Sequence, residues 1–305
     1  MMKIRRKNLM SLWKTLKIIV EHPLNRKRKP QALLGFLKWQ IGSRLVPGEV
    51  IFHWVNGAKF IARPGETGLT QNIYCGLQEL YEMTYVLHVL NSEDLFIDVG
   101  ANAGSYTILA CAVRGAKGYC FEPVPSTYLR LMDNIKLNDL SSRVKAYNIG
   151  LSDRESELFF TAGQDTRNHV IADGESTVDA IKVKVLPLDI LLAGELPTII
   201  KIDVEGLETL VVNGMLHTLE NPSLHSVIME LNGSGKRYGF DEEHLIEKMQ
   251  GFGFQTYSYD PFCRTLTPLG GKNAQSGNTL FLRNESFISE RIASAPRINI
   301  GSLEI

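Results

Sequence analysis

Acidic side chains stand at the ends of the predicted strands, where they could hold a ligand or move a proton. Asp98 ends the apolar run LFID and is followed at once by Gly100 and Gly104 in DVGANAG. A buried carboxylate is unfavourable unless it is hydrogen-bonded, and glycine costs backbone entropy unless the chain turns tightly or approaches a ligand closely. Both costs fall on residues 98–104, so this turn is predicted to touch a ligand.

The residue types at this turn favour a cationic ligand over a phosphate. GANAG lacks the G-x-G-x-x-G spacing of a dinucleotide site, NGSGKRYG (232–239) lacks the P-loop pattern, and Asp98 would repel a pyrophosphate. Glu122, in CFEP at the end of the next predicted strand, could accept hydrogen bonds from both hydroxyls of a ribose. S-adenosylmethionine (SAM), with a sulfonium, an ammonium and a ribose diol, meets this description.

A second group of acids could act on a methyl acceptor. Methyl transfer from a sulfonium is an in-line displacement, and a hydroxyl acceptor must lose a proton as the new bond forms. Asp203 and Glu205 in KIDVEG follow a later strand, and Asp203 is the first candidate for the base, the alternative being a mere pair with Lys201. His169, in the loop DTRNHV, is a further candidate base, although a lone loop histidine is more often a surface residue.

Nucleic acid is not an expected acceptor. Enzymes that methylate base amino groups use an Asp/Asn-Pro-Pro-aromatic stretch at this strand end, and IDVEG has neither proline nor ring. A Pro-Cys nucleophile for cytosine carbon is also absent, since Cys263 follows Phe262. A hydroxyl acceptor is the class that remains.

Alternating elements position these residues. The pattern predicts an α/β fold with a mostly parallel sheet, helices on both faces, and an antiparallel pair of strands near the end. Helices are expected at 31–46, 77–90, 104–114, 126–137, 207–219 and 241–251. Strands are expected at 94–98, 117–122, 144–149, 157–161, 180–185, 198–202, 225–231, 254–259 and 278–283, with a hairpin at 50–63.

Charge is unevenly distributed along the chain. Residues 1–30 hold ten Lys and Arg and a single acid, a formal charge of +9 against −9 for the rest. This basic arm is either solvated or in contact with an anionic membrane or an acidic partner. No signal peptide is evident and the cysteines form no disulfide or zinc pattern, so the chain is expected to be cytoplasmic, or peripheral to the membrane.

Four segments together resemble the FkbM family of SAM-dependent methyltransferases. They are DLFIDVGANAGSYT, GYCFEPVPSTYLRLMDNIKLN, NIGLSD and IIKIDVEGLETLVVNGM, within residues 73–283. The resemblance implies a Rossmann-like class I methyltransferase fold, a seven-stranded sheet with one reversed strand, and SAM as cofactor. It also implies a methionine and sulfonium side lined by Asp98, Gly100, Asn102 and Gly104, a ribose site at Glu122, and an adenine site at Ser152 and Asp153.

Two further features extend this resemblance. IYCGLQELYEM is similar to the family's entry segment, in which Glu79 could close over the methionine end or lie on an exposed helix face. Asp203, Glu230 and Asn232 resemble in placement the ligands that bind magnesium in catechol-type O-methyltransferases, so a divalent metal is an open alternative.

The sequence thus predicts methyl transfer from SAM to a hydroxyl of a sugar, polysaccharide or related metabolite, the acceptor resting on the resemblance. The alternatives are a non-catalytic SAM-binding partner or regulatory protein, a metal-assisted O-methyltransferase acting on a small diol, and a nucleotide-dependent oxidoreductase or transferase. The acceptor's identity and the oligomeric state stay open. The expected organisation is a basic arm (1–30), a helix and hairpin (31–72), the methyltransferase domain (73–283) and a disordered tail (284–305).

Overall fold

The computed structural model describes residues 2–45, 48–66, 68–161, 168–172, 175, 180–301 and 303–305, with side chains from Leu12 onward. Its helices are α1 (Met2–Glu21), α2 (Lys29–Leu45), α3 (Gln71–Cys75), α4 (Leu80–Val89), α5 (Ser105–Ile108), α6 (Pro125–Leu137), α7 (Leu188–Leu192), α8 (Glu208–Asn213), α9 (Leu216–Glu220), α10 (Glu242–Gly251) and α11 (Glu285–Ser294). Its strands are β1 (Val50–His53), β2 (Lys59–Ala62), β3 (Leu95–Val99), β4 (Lys117–Phe121), β5 (Val144–Tyr147), β6 (Gly150–Leu151), β7 (Ser156–Thr161), β8 (Ala180–Leu186), β9 (Ile199–Ile202), β10 (Ser226–Glu230), β11 (Gln255–Asp260), β12 (Thr265–Pro268), β13 (Asn278–Leu282), β14 (Asn299–Ile300) and β15 (Leu303–Glu304).

Eight strands of the described residues form the central sheet, in the order β12-β11-β13-β10-β9-β3-β4-β5. The strands from β10 to β5 run parallel, whereas β13 is antiparallel to both of its neighbours. The predicted α/β fold and the late antiparallel pair are therefore confirmed. The expectation of seven strands with one reversed is wrong in one respect, because a turn at 260–264 folds β12 back antiparallel onto β11 and adds a second reversed strand.

Helices cover both faces of this sheet, as the near-continuous apolar strands predict. Alternate side chains of β3 enter two different cores: Phe96 packs in one, and Leu95 and Ile97 pack in the other. The first core contains residues of α4, α6 and α11, and the second contains residues of α7 to α10. The doubly wound arrangement brings the carboxyl ends of β3, β4, β9 and β10 to one edge of the sheet.

Three smaller sheets of the described residues accompany the central sheet: β1-β2, β6-β8-β7 and β14-β15. β1 and β2 form the predicted antiparallel hairpin, with Asn56 and Gly57 both at positive φ in its turn. The strands predicted at 157–161 and 180–185 are present, but they form a separate sheet of order β6-β8-β7. The strand predicted at 144–149 accordingly ends at Tyr147, and β6 leaves the central sheet to pair with β8.

Two further expectations are corrected. The helix predicted at 207–219 is divided into α8 and α9 at Gly214, where a Cβ atom would lie 2.0 Å from the Ser152 carbonyl oxygen. The tail expected to be disordered contains α11, whose Ile288 and Ile292 are buried in the core and whose Arg291 Nη1 lies 3.1 Å from Asp94 Oδ2. Apolar side chains four residues apart thus outweigh the polar composition of this segment.

The N-terminal helices pack against the domain through α3. Ile19 of α1, Ala32 and Phe36 of α2, and Tyr74 and Cys75 of α3 share one apolar cluster. Among the described residues, none of the helices combines the length and the apolar composition needed to span a bilayer.

Candidate active site

A cavity of about 300 Å³ opens at the carboxyl ends of the parallel strands, within the size range of small-molecule sites. Its described wall carries six acids and one cation. These residues are Glu79, Asp98, Glu122, Asp203, Glu205, Glu230 and Lys201. The excess of carboxylates gives the cavity a negative potential that favours a cationic ligand.

The turn after β3 is as tight as its glycines predict. Gly100 has φ 77°, and a Cβ atom there would lie 1.8 Å from the Asp203 carbonyl oxygen. The amides of Gly100 and Ala101 both donate to the Phe121 carbonyl, each at 3.0 Å. Gly104, with φ 91°, is not on the cavity wall, and its missing side chain makes room for Leu131. Gly100 therefore lets two strand ends meet, while Gly104 lets α6 pack closely.

Asp98 holds the start of α5. It is buried, and its Oδ2 accepts hydrogen bonds from the amide of Thr107 at 3.0 Å and from its hydroxyl at 2.6 Å. Burial raises the pKa of Asp98 to about 6, although the bonds from Thr107 oppose this shift. The carboxylate thus has a structural role on one side while it lines the cavity on the other.

Glu122 is fixed by the backbone at the end of β4. Its Oε2 accepts from the amide of Asn102 at 3.0 Å, and its Oε1 accepts from the amide of Val124 at 2.9 Å. Burial raises the pKa of Glu122 to about 7, and these two bonds act in the opposite direction. Because a carboxylate offers about four lone-pair positions, lone pairs remain for two hydroxyls of a bound ligand.

An apolar wall continues from Glu122. It is formed by Pro123, Val124 and the segment 149–151, and it suits a flat ring. Ser152 and Asp153, which the resemblance assigns to adenine, are not on this wall. The Ser152 amide donates to Leu186 O at 3.0 Å and so prolongs the pairing of β6 with β8. The assignment of these two residues stays a prediction.

Three carboxylates meet at the opposite end of the cavity. Oxygen atoms of Asp203, Glu205 and Glu230 all lie within 4.8 Å of one another. Burial, and then the charge of Asp203, raises the pKa of Glu230 to about 9, so Glu230 carries a proton at neutral pH. One carboxylate of this group can therefore accept a proton, while the protonated Glu230 can donate a hydrogen bond.

Lys201 neutralises part of this group. It is 1% exposed, and its Nζ lies 3.0 Å from Asp203 Oδ2 and 5.2 Å from the centre of the Tyr106 ring. Burial by itself lowers the pKa of an ammonium group, but Asp203, Glu79 and Glu230 raise the pKa of Lys201 above its ordinary value. From the sequence alone, Lys201 is predicted only as a possible partner of Asp203. Its place within the apolar strand IIKI is the signal that could have revealed a buried charge.

Glu79 joins the same end of the cavity. Its Oε2 accepts a hydrogen bond of 2.6 Å from the hydroxyl of the buried Tyr106, a residue that the sequence analysis did not identify. The predicted place of Glu79 at the cavity thus agrees with the structure, and its alternative as an exposed helix residue does not.

The turn after β9 is held by Glu208. Glu205 has φ 53°, a left-handed conformation that is uncommon for a residue with a side chain. Glu208 Oε1 accepts from the amides of Gly206 at 3.1 Å and Val204 at 3.3 Å. These bonds fix the loop that carries Asp203 and Glu205.

Two other predicted residues lie away from the cavity wall. His169 Nε2 is 3.3 Å from Glu175 Oε2, and its neighbour Asn168 lines the cavity instead. Asn232 is exposed, and its Oδ1 accepts from the amide of Ser234 at 2.9 Å. Of the three residues proposed as metal ligands, the structure brings together Asp203 and Glu230, with Glu205 as the third member in place of Asn232.

The strand order and the position of this cavity define a Rossmann-like class I methyltransferase fold. The model of the methyltransferase FkbM domain matches residues 98–256, and the chain therefore belongs to the FkbM methyltransferase family. It is 30% identical over 152 residues to the hexuronic acid methyltransferase AglP of Haloferax volcanii. That alignment covers 48% of this chain and 59% of the relative, so the chain spans about three fifths of that protein.

Solved methyltransferase-fold structures are more distant. The C-terminal domain of precorrin-6Y C5,15-methyltransferase from Rhodobacter capsulatus has a TM-score of 0.38 at 15% identity, with 67% of this chain and 87% of that one covered. The precorrin 8w decarboxylase of Methanobacterium thermoautotrophicum has a TM-score of 0.40 at 13% identity, with 73% and 95% covered.

Proposed function

We propose that this protein is a SAM-dependent O-methyltransferase that methylates a hydroxyl group of a saccharide. The observation that carries the proposal is Glu122, a backbone-held carboxylate in a cavity whose described wall has six acids and one lysine. The saccharide part, but not the charge of the sugar, is supported by the Haloferax volcanii relative, a hexuronic acid methyltransferase.

The residues present fit SAM at two points. Glu122 would accept hydrogen bonds from the ribose diol, beside the apolar wall that suits the adenine ring. The carboxylates at the other end would favour the ammonium and sulfonium groups, with Glu79 held by Tyr106 as one of them. When bound, SAM supplies a methyl group on a positively charged sulfur.

The chain's own residues must orient the acceptor and remove its proton. With SAM bound, the acceptor oxygen would bond to the methyl carbon as the carbon–sulfur bond breaks, and a carboxylate of this chain would take the hydroxyl proton. Asp203 is our candidate for this base. Lys201 holds it in place at 3.0 Å, and protonated Glu230, with an oxygen within 4.8 Å of Asp203, would supply a hydrogen-bond donor beside it.

Charge restricts the acceptor. A sugar hydroxyl with no anionic group beside it suits a pocket end in which the carboxylates of Glu79, Asp203 and Glu205, together with protonated Glu230, surround one lysine. A carboxylate or phosphate next to the reacting hydroxyl would be repelled. We therefore expect neutral saccharides to be better acceptors than uronic acids.

Calorimetric titration with SAM and S-adenosylhomocysteine tests the cofactor half of the proposal. Wild type should bind both, and Glu122→Ala should not. Glu155→Ala, a change at an exposed acid, is the matched control and should bind as wild type does. No binding by wild type would exclude the methyltransferase proposal.

Transfer of labelled methyl groups to a panel of neutral and uronic saccharides tests the acceptor half. Incorporation that Asp203→Asn abolishes would support the mechanism. SAM binding with no transfer to any member would leave the cofactor site intact and count against the saccharide acceptor, in favour of a non-catalytic SAM-binding protein.

A metal-assisted reaction is a second candidate, favoured by the three carboxylates within 4.8 Å. Asp203, Glu205 and Glu230 offer the oxygen ligands that Mg²⁺ prefers, and the ion would polarise the acceptor hydroxyl. Activity that is lost in EDTA and restored by Mg²⁺ would assign the group to a metal. Activity that is unchanged in EDTA would assign it to proton transfer.

We propose that this reaction takes place in the cytoplasm. All four cysteines lie within the described residues and are free thiols, as is usual in a reducing compartment.

A further inference from the structure

The N-terminal part of the chain is strongly basic on an otherwise acidic protein. Residues 1–48 contain twelve Lys and Arg and one acid, whereas the remainder contains 21 basic and 32 acidic residues. The formal charges are therefore +11 and −11. Most of this positive charge lies on α1, α2 and their connection, which together form the two-helix unit (residues 2–45).

The unit also exposes an apolar stripe on α2. Leu34, Leu37, Ile41 and Leu45 are 49–75% exposed. Their spacing of three, four and four residues places them on one face of the helix. The opposite face contains the buried Ala32 and Phe36, so this stripe is not the side that packs on the domain.

The other helix of the unit also exposes a tryptophan. Trp13 on α1 is 68% exposed, and the lysines at positions 14 and 17 beside it are exposed as well. Tryptophan, lysine and large aliphatic side chains are the combination that interfacial helices present to the headgroup region of a membrane.

The unit is firmly attached to the domain. Asn25, in the connection between α1 and α2, is fully buried, and its Nδ2 donates to Ile19 O and to Tyr74 O, each at 2.9 Å. Because the two-helix unit is held in this way, the apolar stripe of α2 stays on the outside of the protein.

We propose that the two-helix unit binds the surface of an anionic lipid bilayer, with the α2 stripe (Leu34, Leu37, Ile41 and Leu45) inserted among the headgroups. Charge complementarity supports this occupant, because anionic lipids attract clustered Lys and Arg while the apolar side chains gain burial. A second copy of the chain is a poorer match, since pairing the same face would bring two units of like charge together. Nucleic acid would match the charge but not the four aliphatic side chains.

Co-sedimentation of the full chain with vesicles tests the proposal. Vesicles of phosphatidylcholine with about 30% phosphatidylglycerol should bind the protein, and pure phosphatidylcholine should bind it much less. Raising the salt from about 0.1 M to about 1 M should weaken binding, because the screening length falls from roughly 10 Å to roughly 3 Å.

Two sets of variants separate the apolar and charged contributions. Leu34→Gln/Leu37→Gln/Ile41→Gln should weaken vesicle binding about 10- to 100-fold. The matched control replaces equally exposed aliphatic residues of the main domain and should bind as wild type does: Leu129→Gln/Ile190→Gln/Leu196→Gln. Replacement of three basic residues of the two-helix unit should also weaken vesicle binding: Arg26→Gln/Lys27→Gln/Lys29→Gln. The matched control replaces three exposed basic residues of the main domain and should bind as wild type does: Lys117→Gln/Lys136→Gln/Arg154→Gln.

Circular dichroism and thermal unfolding would establish that each variant is folded. Failure of wild type to bind anionic vesicles at low salt would overturn the proposal, as would binding by the stripe variant equal to that of its control. Light scattering that shows a wild-type dimer and a monomeric stripe variant would assign the stripe to a second copy instead. Retention of RNA or DNA, with no vesicle binding, would assign the basic surface to nucleic acid.

Discussion

The two ends of the cavity are built in different ways. Glu122 is held by backbone amides, whose positions are set by the strand and the following turn. At the other end, side chains hold side chains: Lys201 pairs with Asp203, and Glu230 depends on both for its charge state. A backbone-held carboxylate suits constant recognition of one cofactor, whereas a coupled group of acids suits a step in which a proton moves. The following predictions test this division, from the largest expected effect to the smallest.

Removal of the candidate base should have the largest effect. Asp203→Asn is expected to lower the methyl-transfer rate about 100- to 10,000-fold, the usual contribution of a general base. Affinity for S-adenosylhomocysteine should change far less, because Glu122 is untouched. Single-turnover rates and calorimetry measure the two quantities. An equal loss of both would contradict the division of labour between the two ends.

Removal of the buried cation should affect stability most. Lys201→Met leaves acids at the cavity without their partner, and breaking a buried pair is strongly destabilising. We expect the free energy of unfolding to fall by about 3 kcal/mol. This value is at the lower end of the usual range for a broken buried ion pair, because the Asp203 side chain is 32% exposed. Urea unfolding measures it, with Lys236→Met at an exposed position as control. A loss no larger than the control's would show that Lys201 is dispensable for folding.

The ribose end should respond to loss of charge and to pH. Glu122→Gln replaces the carboxylate that would accept hydrogen bonds from the ribose with a neutral amide. Because hydrogen bonds to charged groups are stronger, SAM binding should weaken about 10- to 100-fold. Because the pKa of Glu122 is raised to about 7, its carboxylate gains a proton as the pH falls through 7, and wild-type affinity should fall with it. Calorimetry at pH 6, 7 and 8 should show that the affinity for SAM changes with pH in wild type and changes less in the variant. Equal changes would assign the pH dependence to another group.

The smallest effect concerns stability and pH at the coupled end. Burial, and then the charge of Asp203, raises the pKa of Glu230 above its ordinary value of 4.5, so the folded state binds more protons than the unfolded state as the pH rises above that value. Its contribution to stability therefore decreases as the pH rises beyond 4.5. Glu230→Gln cannot ionise, and its unfolding free energy should increase relative to wild type between pH 5 and pH 8. Urea unfolding at both values measures this, with the surface change Glu247→Gln as control, and a constant difference would refute the shift.

The sequence predicted best what local pattern determines. The turn around Gly100, the strand that leads into Glu122 and the Asn56-Gly57 hairpin all depend on neighbouring residues, and all are found in the structure. Placement of Glu79 at the cavity was likewise foreseen, but through the family resemblance. Local chemistry and a known motif thus account for one end of the site.

Features that depend on distant residues were not foreseen. The setting of Lys201 requires acids at positions 79, 203 and 230, which only the strand order brings together. Loop composition indicated His169 but could not decide which of two adjacent residues would face the cavity. The polar composition of the last segment concealed α11, because the pairing of its Arg291 with Asp94 links positions nearly two hundred residues apart.

The missing side chain of Gly100 has a mechanical consequence. With a Cβ position only 1.8 Å from the Asp203 carbonyl oxygen, the turn after β3 and the turn after β9 touch backbone to backbone. Close backbone packing leaves no room for either turn to move toward the other. The spacing between the surface that would hold a methyl donor and the carboxylates that would face an acceptor is then set by this backbone contact before either molecule arrives.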